Sequence, residues 1–243
     1  VRLMDVVVSG EQPRPVFEAA AKGRARARSA PLARVARADE EPLLAFSELT
    51  YRHSAADPPT LRACAGQIER GDQVLLEGAS GSGKSTLVSI LAGLRVMERG
   101  GLRLYGVDRA ATTDWHWRAQ IVLVPQFHEN HIFTETLAFN LLMGSVWPPT
   151  SADLERAGAV CRELGLGPLI ERMPQGLYQL VGDGGWQLSH GERSRLFMAR
   201  ALLQEPELLL IDEGFAALDP ETFRLTFQGV TRRAKTLLVV AHP

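Results

Sequence analysis

Gly78-Ala79-Ser80-Gly81-Ser82-Gly83-Lys84-Ser85-Thr86 is the stretch of this sequence that decides its fold. It follows a short apolar run, 73–77, which predicts a buried strand, and it opens an apolar-periodic segment, 84–94, which predicts a helix. A strand, a glycine-rich turn and a helix in this order, with a Lys-Ser pair where the helix begins, are typical of a phosphate-binding loop. Lys84 is one of only three lysines in the chain, so its position in this register is informative.

The chemistry of this loop follows from its residues. Glycines let the backbone wrap closely, so that successive N–H groups and the helix N-terminus point at a β-phosphate. Lys84 then reaches the β- and γ-phosphates, and the Ser85 hydroxyl is a ligand for Mg²⁺. The predicted nucleotide-contacting positions are Gly78, Ser80, Gly81, Ser82, Gly83, Lys84, Ser85 and Thr86.

A second candidate site, which is acidic, follows the four apolar residues 208–211. Such a run predicts a buried strand, and Asp212 and Glu213 lie at its carboxyl end, where open α/β sheets bind ligands. Asp212 is placed to hold the Mg²⁺ shell, and Glu213 to orient and deprotonate an attacking water. A strand that ends in Asp-Glu is common, so this prediction depends on its pairing with the loop upstream.

Further periodicities complete the predicted architecture. Apolar runs that indicate strands lie at 102–105, 121–124, 207–212 and 236–241. The last two are almost continuously hydrophobic, which favours a central, mostly parallel sheet covered on both faces. Helical spacing occurs at 134–143, 151–164 and 191–204. The predicted fold class is therefore α/β.

The composition excludes several classes of protein. Of the 243 residues 45% are hydrophobic and 23% charged, so the chain can bury a core and is not disordered overall. The net charge of −1 offers no general attraction to nucleic acid, and no nucleic-acid partner is expected. No apolar run approaches the ~20 residues that a membrane-spanning helix needs. Two cysteines, Cys64 and Cys161, are too few for a disulfide framework, and both are predicted to be buried and inert.

Three further motifs resemble those of the ATP-binding cassette (ABC) family. Tyr51 resembles the A-loop aromatic that stacks on adenine. Gln126 resembles the Q-loop glutamine that senses Mg²⁺ and the γ-phosphate. Residues 188–192, Leu-Ser-His-Gly-Glu, resemble the signature LSGGQ, in which Ser189 and Gly191 address the ATP held by a second protomer.

Two more motifs extend the resemblance to the end of the chain. Ala217-Leu218-Asp219 is similar to the D-loop, and His242 stands where the H-loop histidine contacts the γ-phosphate. The resemblance implies a P-loop NTPase core with a small antiparallel β subdomain and a helical subdomain at about 127–190. It also implies catalytic roles for Glu213, His242, Gln126 and Lys84, Mg²⁺ ligation by Ser85, Gln126 and Asp212, and a nucleotide contact for Asp219.

The family resemblance also implies a mechanism and partners. Two cassettes close head to tail over two Mg-ATP, and closure acts on the coupling helices of a membrane domain. We therefore expect an ATP hydrolase at the cytoplasmic face of the inner membrane. Residues 43–243 are expected to form this cassette, cut short after the H-loop, and residues 1–42 to be a linker that follows a membrane domain.

Within that linker, six basic residues and no acidic ones lie between Lys22 and Arg37. One interpretation is a solvated linker, and the other is a basic stretch that meets anionic lipid headgroups.

Two spacings favour an export-type cassette. Ser189 lies only 63 positions after Gln126 (189 − 126), which leaves no room for the long coiled coil of the DNA-repair relatives. Residues 181–185, Val-Gly-Asp-Gly-Gly, resemble the exporter X-loop, and Phe133, Thr136 and Asn140 match the exporter pattern after the Q-loop. In exporters, both segments face the coupling helices. The alternatives are a soluble ABC ATPase and an ATP-sensing regulatory cassette.

Four positions depart from the family pattern. His190 replaces a signature glycine, and Ala216 replaces the D-loop serine. Glu192 stands in place of the signature glutamine, which is a mild change, and Asp183 in place of the usual X-loop glutamate. Because Glu213 and His242 are both present, we expect turnover to survive with altered dimer geometry or affinity.

Other candidate residues have structural interpretations. His128 and His131 do not have the zinc-helix spacing, so we expect them to lie on a polar face. Trp115 and Trp117 are predicted to pack at a subdomain edge, and Trp186 is a candidate contact for a coupling helix.

Overall fold

The computed structural model describes residues 41–126 and 131–241. Its strands are β1 (Leu44–Tyr51), β2 (Leu61–Ile68), β3 (Gln73–Leu76), β4 (Arg99–Leu104), β5 (Val107–Asp108), β6 (Ile121–Val124), β7 (Glu135–Thr136), β8 (Leu180–Val181), β9 (Leu208–Asp212) and β10 (Leu237–Val240). Its α-helices are α1 (Lys84–Leu91), α2 (Asp114–Gln120), α3 (Leu137–Leu142), α4 (Ser151–Glu163), α5 (Gly167–Arg172), α6 (His190–Leu202) and α7 (Pro220–Arg233).

Two four-stranded sheets form the centre of the fold. The first is antiparallel, in the order β2-β1-β4-β5, and the second is parallel, in the order β3-β10-β9-β6. The carboxyl ends of β6 and β9 are adjacent, because Val124 pairs with Ile211. This register brings the segments that follow both strands to the same edge of the parallel sheet.

The two faces of the parallel sheet belong to different cores. Because side chains alternate along a strand, Leu209 and Ile211 pack in one core, and Leu208 and Leu210 in the other. The first core contains the helices from α3 to α6. The second joins the sheet to α1 and to the antiparallel sheet. The predicted α/β class, the parallel sheet and the antiparallel β subdomain are confirmed.

The predicted bounds of the helices differ from the structure at two places, one where a glycine ends a helix and one where a residue pairs in a short strand. The first helix ends at Leu91 and not at 94, because Gly93 takes a positive φ of 71° and its N–H bonds to Ile90 O. Thr136, inside the predicted helix 134–143, pairs in β7 and caps α3. The strand 121–124 has its predicted bounds.

Two predictions about side-chain environment were wrong. Trp117 does not lie at a subdomain edge: its ring is completely buried in the second core, and its indole N–H donates to Leu91 O at 2.8 Å. Cys64 is only half-buried. Cys161 is buried as predicted, and burial raises the pKa of its thiol to about 12.

Among the described residues, none of the helices combines the length and the hydrophobicity required to cross a membrane.

Candidate functional site

The glycine-rich loop 78–83 wraps around the side chain of Lys84. The ammonium Nζ donates to Gly78 O at 2.7 Å and to Ala79 O at 2.9 Å. Gly81 and Gly83 have φ values of 76° and 93°, which residues with a side chain adopt only at a cost. The loop thus holds one buried positive charge at the start of α1, next to the open N–H groups of a helix N-terminus.

Strand β2 fixes the position of this loop from outside. A Cβ at Gly83 would lie 2.8 Å from Leu61 Cδ2 and 3.2 Å from Thr60 O. Only glycine therefore permits the antiparallel sheet to pack so closely on the start of α1. The sequence indicated the glycine, but this contact depends on residues more than twenty positions away.

Gln126 connects the loop to the acidic residue Glu213, which follows β9. Its Nε2 donates to Ser85 Oγ at 3.2 Å and to Glu213 Oε1 at 3.0 Å. Gln126 follows β6 and Glu213 follows β9, so the pairing of these two strands places both side chains at one sheet edge. Three residues that are distant in sequence thus form one hydrogen-bonded row.

Asp212 and Glu213 differ in environment although they are adjacent. Asp212 ends β9 and is 3% exposed, whereas Glu213 is partly exposed and has a φ of 53°. A non-glycine residue in this left-handed region is uncommon and costs energy, and such strain concentrates at functional sites. The Glu213 N–H donates to Val240 O at 3.2 Å, which holds the turn against β10.

These groups surround one cavity of about 230 Å³. Its wall contains Lys84, Ser85, Gln126 and Glu213, as predicted, together with Ser80, Gly81, Gly83 and Thr86. His53 and Thr60 also line it, and neither was predicted from the sequence. The only sequence signal for His53 was its position two residues after Tyr51.

Tyr51 lies beside the cavity and is held from two sides. Its hydroxyl accepts a hydrogen bond from Arg95 Nη1 at 3.1 Å. Its ring meets the His53 ring edge to face, with 5.2 Å between the centroids. The half-buried aromatic ring is thus fixed in orientation next to the phosphate-binding loop.

The oxygen donors predicted for a cation fit Mg²⁺. Ser85 offers a hydroxyl, Gln126 a carboxamide and Asp212 a carboxylate, and oxygen ligands of this kind suit Mg²⁺. The Gln126 amide nitrogen donates to Ser85 Oγ, so these two side chains lie at the same place in the cavity. In the described ranges 41–126 and 131–241, no cluster of three or more His, Cys, Asp or Glu residues is arranged to hold a metal.

The signature-like segment caps α6. Ser189 is the N-cap residue: its Oγ accepts from Glu192 N at 3.2 Å, and its N–H donates to Glu192 Oε2 at 2.8 Å. Arg172, at the end of α5, forms an ion pair with Glu192 at 3.0 Å. Gly191 lies close to the D-loop-like segment, since a Cβ there would be 3.4 Å from Ala217 O.

Asp219 has a structural contact that the sequence analysis did not predict. Its Oδ1 accepts hydrogen bonds from Glu221 N at 3.1 Å and Thr222 N at 3.0 Å, so it is the N-cap of α7. The bond from Thr222 lowers the pKa of the Asp219 carboxyl. The predicted H-loop residue His242 and the candidate His128 lie outside the described residues.

The two exporter-like segments are brought together by the short antiparallel pair β7 and β8. Gly182 packs on the backbone of the other segment, since a Cβ there would lie 3.1 Å from Phe133 O. Asn140 is fully buried and ties this region down: its Oδ1 accepts from Phe133 N and its Nδ2 donates to Phe133 O, both at 2.9 Å.

Arg200 joins the same cluster to the signature helix α6. Its Nε donates to Asn140 O at 2.7 Å and its Nη2 to Asn140 Oδ1 at 3.1 Å. Burial lowers the pKa of the guanidinium to about 10, so it remains charged at neutral pH. The segments near Phe133 and the signature helix are thus connected by direct hydrogen bonds.

Comparison with known proteins identifies the family. A family model described as ABC transporter matches residues 61–216, which is more than half of the chain. The chain belongs to the ABC transporter family. The predicted membership of the ABC family is therefore confirmed.

Individual relatives and a solved structure agree with this assignment. The chain is 35% identical over 202 residues to an ATP-dependent lipid A-core flippase of Alkalilimnicola ehrlichii, covering 82% of this chain and 33% of the flippase. It is 34% identical over 203 residues to the mycobactin import ATP-binding/permease protein IrtB of Mycolicibacterium smegmatis, covering 83% and 34%. A bacterial Atm1-family ABC exporter with ATP bound matches with a TM-score of 0.74 and 28% identity, over 84% of this chain and 35% of the exporter. The chain thus spans about a third of the length of these relatives.

The departures from the ABC pattern at His190 and Ala216 both lie on the surface. His190 is the first residue of α6 and is exposed, and Ala216 is exposed in the turn that follows Glu213. Neither substitution fills the cavity that contains Lys84 and Glu213.

Proposed function

We propose that this chain is the ATP-hydrolysing domain of an export-type ABC transporter. It powers the export of a substrate through a fused or associated membrane domain. The observation that carries the proposal is the row Ser85–Gln126–Glu213 along the cavity that also contains Lys84. Hydrolysis of a terminal phosphate requires a loop that binds the phosphates and a carboxylate that activates water. Here both lie within hydrogen-bond distance of one glutamine, Gln126.

In this proposal each part of the cavity contacts one part of Mg-ATP. Tyr51 stacks on the adenine, the loop N–H groups bind the phosphates, and the Lys84 ammonium neutralises their charge. A Mg²⁺ ion held by Ser85, Gln126 and Asp212 supplies charge neutralisation at the phosphates when it is bound. The full nucleotide-contacting set comprises Tyr51, Gly78, Ser80, Gly81, Ser82, Gly83, Lys84, Ser85, Thr86, Gln126 and Asp212, with Ser189, Gly191 and Asp219.

Hydrolysis in this proposal depends on Glu213. Its carboxylate takes a proton from the attacking water as the water oxygen bonds to the γ-phosphorus. The bond between that phosphorus and the bridging oxygen of ADP breaks, which yields ADP and inorganic phosphate. Gln126 holds Glu213 by its amide, and we assign His242 as the contact that supports the base and the γ-phosphate.

We further propose that the second cassette is another copy of this chain, arranged head to tail. The chain carries both halves of such a site: Lys84 and Glu213 at the cavity, and Ser189 and Gly191 at the start of α6. Each composite site would therefore combine the cavity of one copy with the signature helix of the other. The close packing of Gly191 on the D-loop-like segment supports this proposal, since a Cβ at Gly191 would lie 3.4 Å from Ala217 O.

We propose that the region around Phe133 and Gly182 contacts the coupling helices of the membrane domain. Support comes from the adjacency of the two exporter-like segments and from exposed apolar side chains there, since Phe133 is 47% and Leu180 is 51% exposed. The domain would then lie at the cytoplasmic face of the inner membrane. One relative is named for import, so the proposed direction depends on these segments and not on overall similarity.

The test compares the steady-state ATP turnover of the wild-type protein with that of its Glu213→Gln variant. Loss of the base should lower turnover by about 100-fold or more, while ATP binding is retained. Equal turnover in the two proteins would contradict the proposed ATPase.

A further inference from the structure

His53 lies at the wall of the nucleotide cavity although no motif assigns it a function. It lines the cavity together with Ser80, Gly81 and Lys84 of the phosphate-binding loop and with Glu213. Tyr51, the proposed adenine contact, is not part of this wall. His53 is therefore on the phosphate side of Tyr51.

The segment that carries His53 is held in place by contacts of its neighbours. Tyr51 and His53 are two positions apart and their rings touch, whereas the intervening Arg52 is held elsewhere by Glu98, with Nε 2.8 Å from Oε2. The Thr60 N–H donates to Tyr51 O at 2.8 Å, which closes the loop between them. His53 is thus placed by contacts on both sides of it in sequence.

The charged and titratable groups around His53 favour an anionic ligand. The Lys84 side chain and the Glu213 carboxylate line the same cavity as His53. The Arg95 guanidinium donates a hydrogen bond to the hydroxyl of Tyr51, whose ring contacts the His53 ring. One cation and one carboxylate therefore share the cavity wall with His53, a second cation lies next to its aromatic neighbour, and the imidazole has an N–H that can donate a hydrogen bond.

We infer that His53 donates a hydrogen bond to the triphosphate of the bound nucleotide. This inference rests on the proposed function, because it needs a nucleotide in the cavity. It adds a binding residue from the turn that follows β1 to a site whose other phosphate contacts come from the loop at α1. Since the contact is to phosphate and not to the base, it should strengthen binding of ATP and GTP by the same factor.

The test is calorimetric titration of the parent protein with Mg-ATP and Mg-GTP. His53→Ala should weaken the binding of both nucleotides about tenfold, which corresponds to about 1.4 kcal/mol. His53→Gln, which keeps a donor, should recover most of the loss. His116→Ala serves as the matched control, because His116 is not part of the cavity wall, and it should bind like the wild type.

The outcomes separate the inference from the proposed function. If the wild type does not bind Mg-ATP, or if Lys84→Ala binds as well as the wild type, the proposed function fails. If those two behave as expected but His53→Ala binds normally, only the inference fails. An effect on ATP alone would indicate a base contact, and no recovery in His53→Gln would indicate a packing role; either result overturns the phosphate contact.

Discussion

Gly83 and Gly71 have similar positive φ angles in very different surroundings. Their φ values are 93° and 85°, but a Cβ at Gly83 would meet Leu61 at 2.8 Å, whereas a Cβ at Gly71 would meet nothing within 4 Å. Gly71→Ala should therefore cost only the left-handed conformation, about 1–2 kcal/mol of unfolding free energy. Gly83→Ala should cost about 1–3 kcal/mol more, since it adds a steric overlap.

Urea unfolding of the two alanine variants measures this difference. Because the overlap displaces the loop that holds Lys84, Gly83→Ala should also weaken ATP binding, and Gly71→Ala should not. Equal losses of stability in both variants would show that β2 does not fix the loop.

Helices α4 and α6 lie in different parts of the fold but begin with the same hydrogen-bonded motif. Ser189 and Glu192 form a capping box on α6, and Thr150 and Asp153 form one on α4. Ser189→Ala and Thr150→Ala should each lower the free energy of unfolding by about 1 kcal/mol, because each leaves a helix N–H without its cap. Only Ser189→Ala should also lower ATP turnover, since only α6 is proposed to address nucleotide.

Parallel urea unfolding and ATPase assays on these two variants test that distinction. If the Thr150→Ala variant lost as much turnover as the Ser189→Ala variant, Ser189 would have only a structural role.

Asn140 connects α3, the Phe133 segment and α6 through a single buried amide. Asn140→Ala should lower the free energy of unfolding by about 3 kcal/mol, because buried backbone and guanidinium groups lose their partners. Removing Arg200 as well should add less than the separate effect of Arg200→Ala, since the two side chains share a hydrogen bond. A double-mutant cycle from urea unfolding provides the measurement, and strictly additive losses would argue against the shared cluster.

The parts of the fold that local sequence determines could be predicted, and the parts that distant contacts determine could not. The buried strands and the loop at Lys84 have strong local signals, because continuous apolar runs and a glycine-rich turn are legible within a dozen residues. His53 has only its position two residues after Tyr51, Asn140 has only its place in the exporter-like pattern, and Thr60 and Arg200 have no signal. The contacts of all four depend on which segments the folded chain brings together. The environment of Trp117 was predicted wrongly for the same reason, because its burial comes from packing against α1 and the antiparallel sheet.

The assembly of two copies follows from the distribution of functional groups over one chain. Lys84 and Glu213 lie at the cavity, whereas Ser189 begins a helix that is proposed to act on the nucleotide of the other copy. A copy with a defective cavity should therefore still supply a working signature helix. A copy with a defective signature helix should still supply a working cavity.

Two variants of the parent protein, Lys84→Ala and Ser189→Asp, allow this arrangement to be tested. Lys84→Ala removes the phosphate-binding charge. Ser189→Asp keeps a good N-cap residue but places a negative charge against the phosphates of the partner's nucleotide. Each variant alone should hydrolyse ATP at a rate close to that of the Glu213→Gln variant.

The decisive measurement is the ATP turnover of a co-reconstituted equimolar mixture of these two variants. Random pairing makes half of the dimers mixed, and each mixed dimer has one intact site, so the mixture should recover about a quarter of the wild-type turnover. A mixture no more active than either variant alone would contradict head-to-tail hydrolysis by two copies of this chain.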